Sequence, residues 1–206
     1  MNLKPFVLLL LAAFFSFFSL AQALTAGIAP DVLVKTVTNE VLQVIRSDAG
    51  NSKKTMEFIE TRVQQHFNFV HMTQLGVGRD WKNASAAQQK QLAEEFHALL
   101  VRTYAKALTE YKNQTIEFKP FKMNAGDTEV KVRTQVVQAG SKAIPLDYFL
   151  EISPTGWKVF DIEVDGISLV INYRESFAAE VRTGGIDGLI KSLQGKNKTH
   201  VTANKK

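Results

Sequence analysis

Asp161, Glu163 and Asp165 stand at every second position in the stretch "GWKVFDIEVDGISLVINYRESF". In a strand, residues at i, i+2 and i+4 share one face. Three carboxylates on one face are raw material for general acid–base chemistry, provided that apolar surroundings lift one pKa towards neutral. Such a base belongs on the buried side of its strand. Phe160, Ile162 and Val164 take the alternate positions and are expected to form that side, which leaves the acids in water. Trp157 and Val159 share the acids' phase, so a cover near the start of the strand would make Asp161 a buried hydrogen-bond acceptor.

Other reactive groups are sparse. The four histidines are His66, His71, His97 and His200. No HExxH occurs and no two histidines stand four apart on a helix, so no metal site is expected. Cysteine is absent. That removes thiol catalysis and disulfides, and an ordinary apolar core must hold the fold. There is no GxSxG, no SxxK with its partners, no P-loop and no dinucleotide fingerprint. Ser168 follows Gly166 in "DGISL", but Leu169 and Val170 stand where a nucleophile elbow needs its second glycine.

The elements that must position these residues begin after a leader. Lys4, the apolar run Phe6–Leu20 and the small-x-small site Ala21-Gln22-Ala23 read as a signal peptide, residues 1–23. The run is short for a membrane-spanning helix of about 20 residues. No Cys follows the site, which excludes a lipid-anchored lipoprotein. A soluble, exported chain starting near Leu24 is expected, in the periplasm of a bacterium. With a formal net charge of +5, the chain is mildly basic and its Lys and Arg residues are dispersed. This suits an anionic membrane surface or an acidic partner and does not point to nucleic acid.

The first half has helical periodicity. Val34, Val37, Val41, Val44 and Ile45 share a face after Pro30, and Met56, Ile59, Val63 and Phe67 repeat the pattern. A long helix is expected over Ser85–Tyr111, opened by a Ser85/Gln88 capping box. Its stripe of Leu92, Phe96, Leu99, Leu100, Thr103 and Ala107, widened by Tyr104, Leu108 and Tyr111, is suited to lie across a sheet or a cavity. The period then changes to 2 over four segments separated by Asn124–Asp127, Ala139–Ser141 and Ser153–Gly156. Val130, Val132 and Val136 share a face, as do Leu146, Tyr148, Leu150 and Ile152. Helix returns with Tyr173, Phe177 and Val181, breaks at Gly184-Gly185, and resumes briefly in "IDGLIKSLQG". Residues 196–206 are polar and expected to be a disordered tail. The order of elements predicts an α+β fold: a curved antiparallel sheet of about four strands, packed by N-terminal and C-terminal helices in one domain, residues 24–195. An interior left open between helix and sheet would be an apolar ligand pocket suited to acyl chains.

"FNFVHMTQLGVGRDWKNASAAQQKQLAEEFHALLVRTYAKAL", followed by "GWKVFDIEVDGISLVINYRESF", resembles the MlaC family of toluene-tolerance and phospholipid-shuttle proteins. The matching pieces include Asn68-Phe69, Leu75-Gly76, Trp81, Phe96, Arg102-Thr103-Tyr104, Trp157–Ile162, Gly166, Ser168-Leu169 and Arg174–Phe177. The resemblance spans about residues 30–195. It implies a fold like nuclear transport factor 2, with phospholipid as cargo and no cofactor. It also implies shuttling between an outer-membrane lipoprotein–porin complex and an inner-membrane MCE-domain ABC transporter, maintaining outer-membrane lipid asymmetry; a monomer is expected. The lipid-binding candidates are Phe96, Leu99, Leu100 and Tyr104 from the long helix. From the sheet they are Val130, Val132, Val136, Leu146, Tyr148, Leu150, Phe160, Ile162 and Val164. Leu75 and Trp81 are expected to close one end. A periplasmic isomerase or hydrolase of the same fold, with Asp161 or another pocket acid as base, is the alternative; an adaptor or chaperone binding through exposed helices is the third reading.

Overall fold

Local signals in the chain set where the helices begin and end. The computed structural model describes residues 27–47, 52–109 and 114–203; the signal peptide lies outside them. Helix α1 (Pro30–Ser47) has Pro30 at its start, Asp31 in the first turn and Arg46 in the last, all in keeping with the free N–H groups and the helix dipole. Helix α2 spans Ser52–Gln64. Helix α3 (Phe69–Val77) is capped by Asn68, whose side chain accepts from the His71 N–H at 3.1 Å. A 3-10 turn, Gly78–Asn83, leads to α4, Ala86–Thr109. The expected capping box forms there: Gln88 N–H donates to Ser85 Oγ at 3.3 Å, and Ser85 N–H to Gln88 Oε1 at 2.9 Å.

The strands are β1 (Thr115–Phe118), β2 (Glu129–Val137), β3 (Ile144–Ser153), β4 (Gly156–Val164) and the two-residue β5 (Ile167–Ser168). They form one sheet in the order β1-β2-β3-β4-β5, each antiparallel to its neighbour. The fold is α+β, helices against an open, curved meander. The fifth strand is added by the tight turn at Asp165-Gly166, where both residues have positive φ, 50° and 80°.

One irregularity sets which residues share a face. Between β3 and β4 the register steps from Leu150↔Val159 to Phe149↔Asp161, which makes Phe160 the extra residue of a β-bulge. Directly paired residues share a face. One face therefore carries Val130, Val132, Thr134 and Val136 of β2, then Leu146, Tyr148 and Leu150 of β3. On β4 it carries Trp157 and Val159 before the bulge and Ile162 and Val164 after it. The expected single phase for Phe160, Ile162 and Val164 is corrected accordingly: Phe160 leaves the apolar face and stacks on the His71 ring at 4.4 Å.

Packing gathers into two apolar cores. The first is helical and joins Met72 and Val77 of α3, Trp81, and Leu92, Phe96, Leu99 and Leu100 of α4. These meet Phe177, Leu189, Ile190 and Leu193 of α5 (Arg174–Ala203). The second lies between the sheet and α1 and joins Leu33, Val34, Val132, Leu150, Trp157 and Val159. Phe67 packs against both. It sits where residues 66–68 run beside β4: Val159 N–H donates to His66 O, and Asn68 N–H to Val159 O, each at 2.8 Å.

Helix α5 corrects the expected tail. It kinks at Gly185, which has a φ of 65°, and continues through 196–203. Asn197 is buried there, and its Nδ2 donates to Glu95 O at 3.0 Å and Glu95 Oε2 at 2.7 Å. Arg102 Nη1 donates to Asn197 O at 2.5 Å, so α4 and α5 are joined beyond their apolar stripe.

Gly76 marks the tightest helix contact. A Cβ placed there would sit 3.3 Å from both a Phe96 ring carbon and Val170 O, and 3.5 Å from Phe177. Gly76→Ala is expected to cost about 1–3 kcal/mol by overpacking, despite alanine's better helix propensity. Urea denaturation checks this; a stabilised variant would show that the contact has slack.

Candidate functional site: an apolar sheet face and its polar rim

The apolar face of the sheet is covered along only part of its length. Where α1 lies on it, Leu150 is 0% exposed, Val132 1% and Val159 4%. Towards the other end, Val136, Leu146, Tyr148, Ile162 and Val164 are half-buried. Ile144, paired with Val136, is 45% exposed, and Ile167, paired with Val164, is 62% exposed. This half-face is an apolar surface built by backbone register, with the buried Thr134 inside it, and the helical core is a separate cluster. Tyr104 and Tyr173 flank that core. Under α1, the seam leaves an apolar cavity of about 30 Å³, bounded by Leu33, Val37, Phe67, Tyr148 and Val159.

Each candidate from the sequence has a definite place. Val136, Leu146 and Val164 lie on the uncovered half, and Val130, Tyr148 and Ile162 are half-buried where it meets the α1-covered core. Val132 and Leu150 are sealed beneath α1. Phe96, Leu99, Leu100 and Trp81 belong to the helical core, with Leu75 packed against it. Phe96 meets Tyr173 and Phe177 edge-on, at 5.0 Å to each ring centre. The long helix therefore spends its stripe on α5 instead of on the sheet, because Phe177, Leu189 and Leu193 fill that side. Sequence reasoning missed Ile144 and Ile167. Their signal was the strict pairing of each, in register, with an apolar residue on the next strand.

The acids do not share one wet face. Glu163 meets Lys131 at 3.0 Å, and Lys131 also holds Asp147 at 3.0 Å. Asp165 lies exposed in the turn. Asp161 is buried at the bulge, 4% exposed, as a hydrogen-bond acceptor and not in water with the other acids. Burial pushes its carboxyl above the ordinary value, while hydrogen bonds from the Ser168 hydroxyl and the N–H groups of Ile162 and Val170 hold it down. Ser168 Oγ also accepts from Ile171 N–H at 2.9 Å. Asp161 thus pins the chain where β5 leads into α5, with its acceptor capacity used on the protein's own backbone. Nearby, burial and a hydrogen bond with Tyr173 push the Tyr104 phenol up to about 12, so it stays protonated. Among the described residues no group of three or more His, Cys, Asp or Glu side chains converges on a metal position.

Two histidines have pKa values pushed below the ordinary one. Burial pushes His97 down; its ring lies 3.8 Å from that of Phe69, and its buried Nε2 has no partner among the described residues. Burial, then the charges of Arg62 and Lys158, push His66 down against the pull of Glu40. Both folded values lie below the ordinary 6.5, so the unfolded chain binds more protons as pH falls through that window, and stability falls with it. Asp161, whose folded value is raised above 3.8, acts with the opposite sign in a lower window. The urea midpoint is expected to be lower at about pH 5.5 than at about pH 7.5, and His97→Gln is expected to shrink the difference. An undiminished difference in the variant would show that His97 does not contribute.

A protein-family model described as MlaC protein matches residues 35–195 of the chain. The chain belongs to the MlaC family. The intermembrane phospholipid transport system binding protein MlaC of Haemophilus influenzae is 26% identical over 184 residues, 86% of each chain. The toluene tolerance protein ttg2D of Pseudomonas putida is 32% identical over 114 residues, 55% of this chain and 52% of its own length. Among solved structures, the phospholipid-binding protein from Ralstonia solanacearum, in complex with a phospholipid, superposes with a TM-score of 0.76. It is 37% identical, over 84% of this chain and 99% of that one. Within the MlaC match, the motif residues have structural work to do in this chain: Gly76 admits Phe96 and Val170, and Arg174 donates to Leu75 O through Nε at 3.1 Å and Nη2 at 2.8 Å. Asp161 and Ser168 fasten the start of α5.

Proposed function

We propose that this chain is a phospholipid carrier that holds acyl tails against the uncovered apolar half of its sheet. The single observation that carries this reading is the pairing of that half-face with the phospholipid-bound Ralstonia solanacearum relative, 37% identical over 99% of its chain. Val136, Leu146, Tyr148, Ile162 and Val164 are the tail-facing residues in this reading. Val132, Leu150, Phe96 and Trp81 support them from behind.

Energetics favour such a task. At about 0.8 kcal/mol per buried methylene, two chains of some thirty methylenes hold the lipid by more than about 20 kcal/mol against water. Escape into water is negligible, so transfer requires docking onto a partner that continues the apolar path. One methylene more or less changes the balance little, and broad acyl tolerance is expected. The carrier works in the periplasm, between an outer-membrane lipoprotein–porin complex and an inner-membrane MCE-domain ABC transporter. It makes no covalent bond. Among the described residues no helix is long and apolar enough to cross a membrane, in keeping with a shuttle. The enzymatic alternative loses its motive at Asp161, whose carboxylate faces the protein's own N–H and hydroxyl donors.

Solvent extraction and mass spectrometry of protein purified from a bacterial host test the proposal. Phospholipids of mixed chain length are expected. A lipid-free protein that also takes none from vesicles would sink it.

A further inference from the structure

We propose that α1 is a movable strap: acyl tails enter by lifting Leu33, Val34 and Val37 off the sheet, so that Val132, Leu150 and Val159 become the deep end of the tail-binding surface. This rests on the carrier reading and adds to it a second section of the site and the motion that opens it.

Enclosure is the physical reason. A site that buries most of a ligand measures roughly 300–1,000 Å³. The uncovered half of the sheet supplies one wall, and the seam under α1 holds about 30 Å³. Two tails therefore need a second apolar wall and more room than the closed seam has. The stripe of α1 is such a wall. It already faces the sheet across an underfilled seam, with Leu33, Val34 and Val37 on one side and Tyr148 and Val159 on the other. Protein interiors are close-packed, so a gap there marks a contact that is not fully interlocked. Exchanging methyl groups of α1 for methylenes of a tail keeps the sealed residues Val132, Leu150 and Val159 out of water while α1 lifts. The helical core offers no comparable opening. Phe96, Phe177, Leu189 and Leu193 are fully buried there, and hydrogen bonds of Asn197 with Glu95 and Arg102, and of Gln88 with Asp187, join α4 to α5.

The attachments of α1 suit a strap. The helix crosses the apolar face from the β3–β4 turn, where Gly27 packs against the Gly156 backbone, to the corner where β1 meets β2. At that far corner Arg46 Nη2 donates to Gln114 O at 3.0 Å, in an exposed hydrogen bond that water can replace. Glu40 and Arg62 bind α1 to α2, so the two helices move as one hairpin. The chain after α2 is held on β4, where His66 O accepts from Val159 N–H and Asn68 N–H donates to Val159 O. The hairpin thus has a fixed base at residues 66–68 and a releasable tip at Arg46.

The chain has no cysteine, so two introduced thiols can be addressed alone. Arg46→Cys/Gln114→Cys is joined by a short bismaleimide whose spacer contains a reducible disulfide; neither position is a tail-facing residue. Uptake of phosphatidylglycerol from vesicles is followed by mass spectrometry, beside the same variant capped with N-ethylmaleimide, with thermal melts as the folding control. The cross-link is expected to slow uptake at least about tenfold, because the locked hairpin cannot reach the open state through which tails enter, and cleavage of the spacer is expected to restore it. Equal uptake by cross-linked and capped protein would overturn the strap. In the unmodified protein, tails brominated near their methyl ends are expected to quench Trp157, which lies under α1 and is one of the chain's two tryptophans. Emission no lower than with unbrominated tails would place the tails away from α1 and overturn the deep end. Uptake of no lipid by wild type would overturn the carrier reading beneath it.

Discussion

Phe96→Ala is expected to lower folding stability by about 3–5 kcal/mol, among the largest losses available to a single substitution. Phe96 is 0% exposed, at the point where α3, α4 and α5 meet. Two aromatic neighbours, Tyr173 and Phe177, contact its ring edge-on, so truncation forfeits those pairs as well as the transfer free energy of the ring. Gly76 lies against it and offers no side chain that might relax into the gap. For a domain of this size the loss corresponds to roughly 6–20 °C in melting temperature. Phe58, 38% exposed, serves as the control: Phe58→Ala is expected to change stability by at most about 0.5 kcal/mol. Differential scanning calorimetry of both variants is the measurement. A loss below about 1 kcal/mol at Phe96 would mean that α5 does not depend on this contact for its docking.

Much of this architecture is written locally. The Ser85/Gln88 box is a short-range hydrogen-bonding device, so its residue types announce it. The hairpin from β3 to β4 turns at Gly156, with a φ of 102°, a conformation that glycine reaches without strain. What the pattern concealed was longer in range. Binary alternation gave β4 a single phase, and the bulge at Phe160 divides it in two. A trace of the bulge was present: Val159 and Phe160 are adjacent apolar residues in an otherwise alternating strand. Alternation alone leaves Asp161 either in water or as a buried acceptor, and the bulge decides for burial.

Helix α5 shows a second limit. Ile186, Leu189, Ile190 and Leu193 keep the helical spacing, and Asn197 continues it one turn later as a polar residue. Polar composition from residue 196 onward argued for disorder. The hydrogen bonds of Asn197 to Glu95 and Arg102, on a helix about a hundred positions away, decide for helix instead. No local window contains that information. The same helix determines what α4 does with its stripe, so the division between supporting core and tail-facing surface was not legible until α5 was placed.

Leu146→Glu is expected to abolish phospholipid carriage while leaving the fold largely intact. Leu146 is half-buried on the uncovered half of the apolar face, paired with Val164 on one side and Thr134 on the other. Neither core includes it, so little packing is lost when it changes. A carboxylate at that position stays hydrated in the lipid-free protein. With tails in place it must either lose its water, at a cost of several kcal/mol, or hold water against the chains and displace them. Several kcal/mol is a factor of a hundred or more in occupancy, since each 1.4 kcal/mol is about tenfold. The melting temperature is expected to fall by no more than about 4 °C, in line with a loss near 1 kcal/mol. Leu146→Met, which keeps volume and apolarity, is expected to retain lipid. Lipid-to-protein ratios from extraction and mass spectrometry, beside thermal melts of the same samples, separate the two effects. If Leu146→Glu keeps its full complement of phospholipid, the tails lie elsewhere, and the seam between α1 and the sheet becomes the place to introduce the next charge.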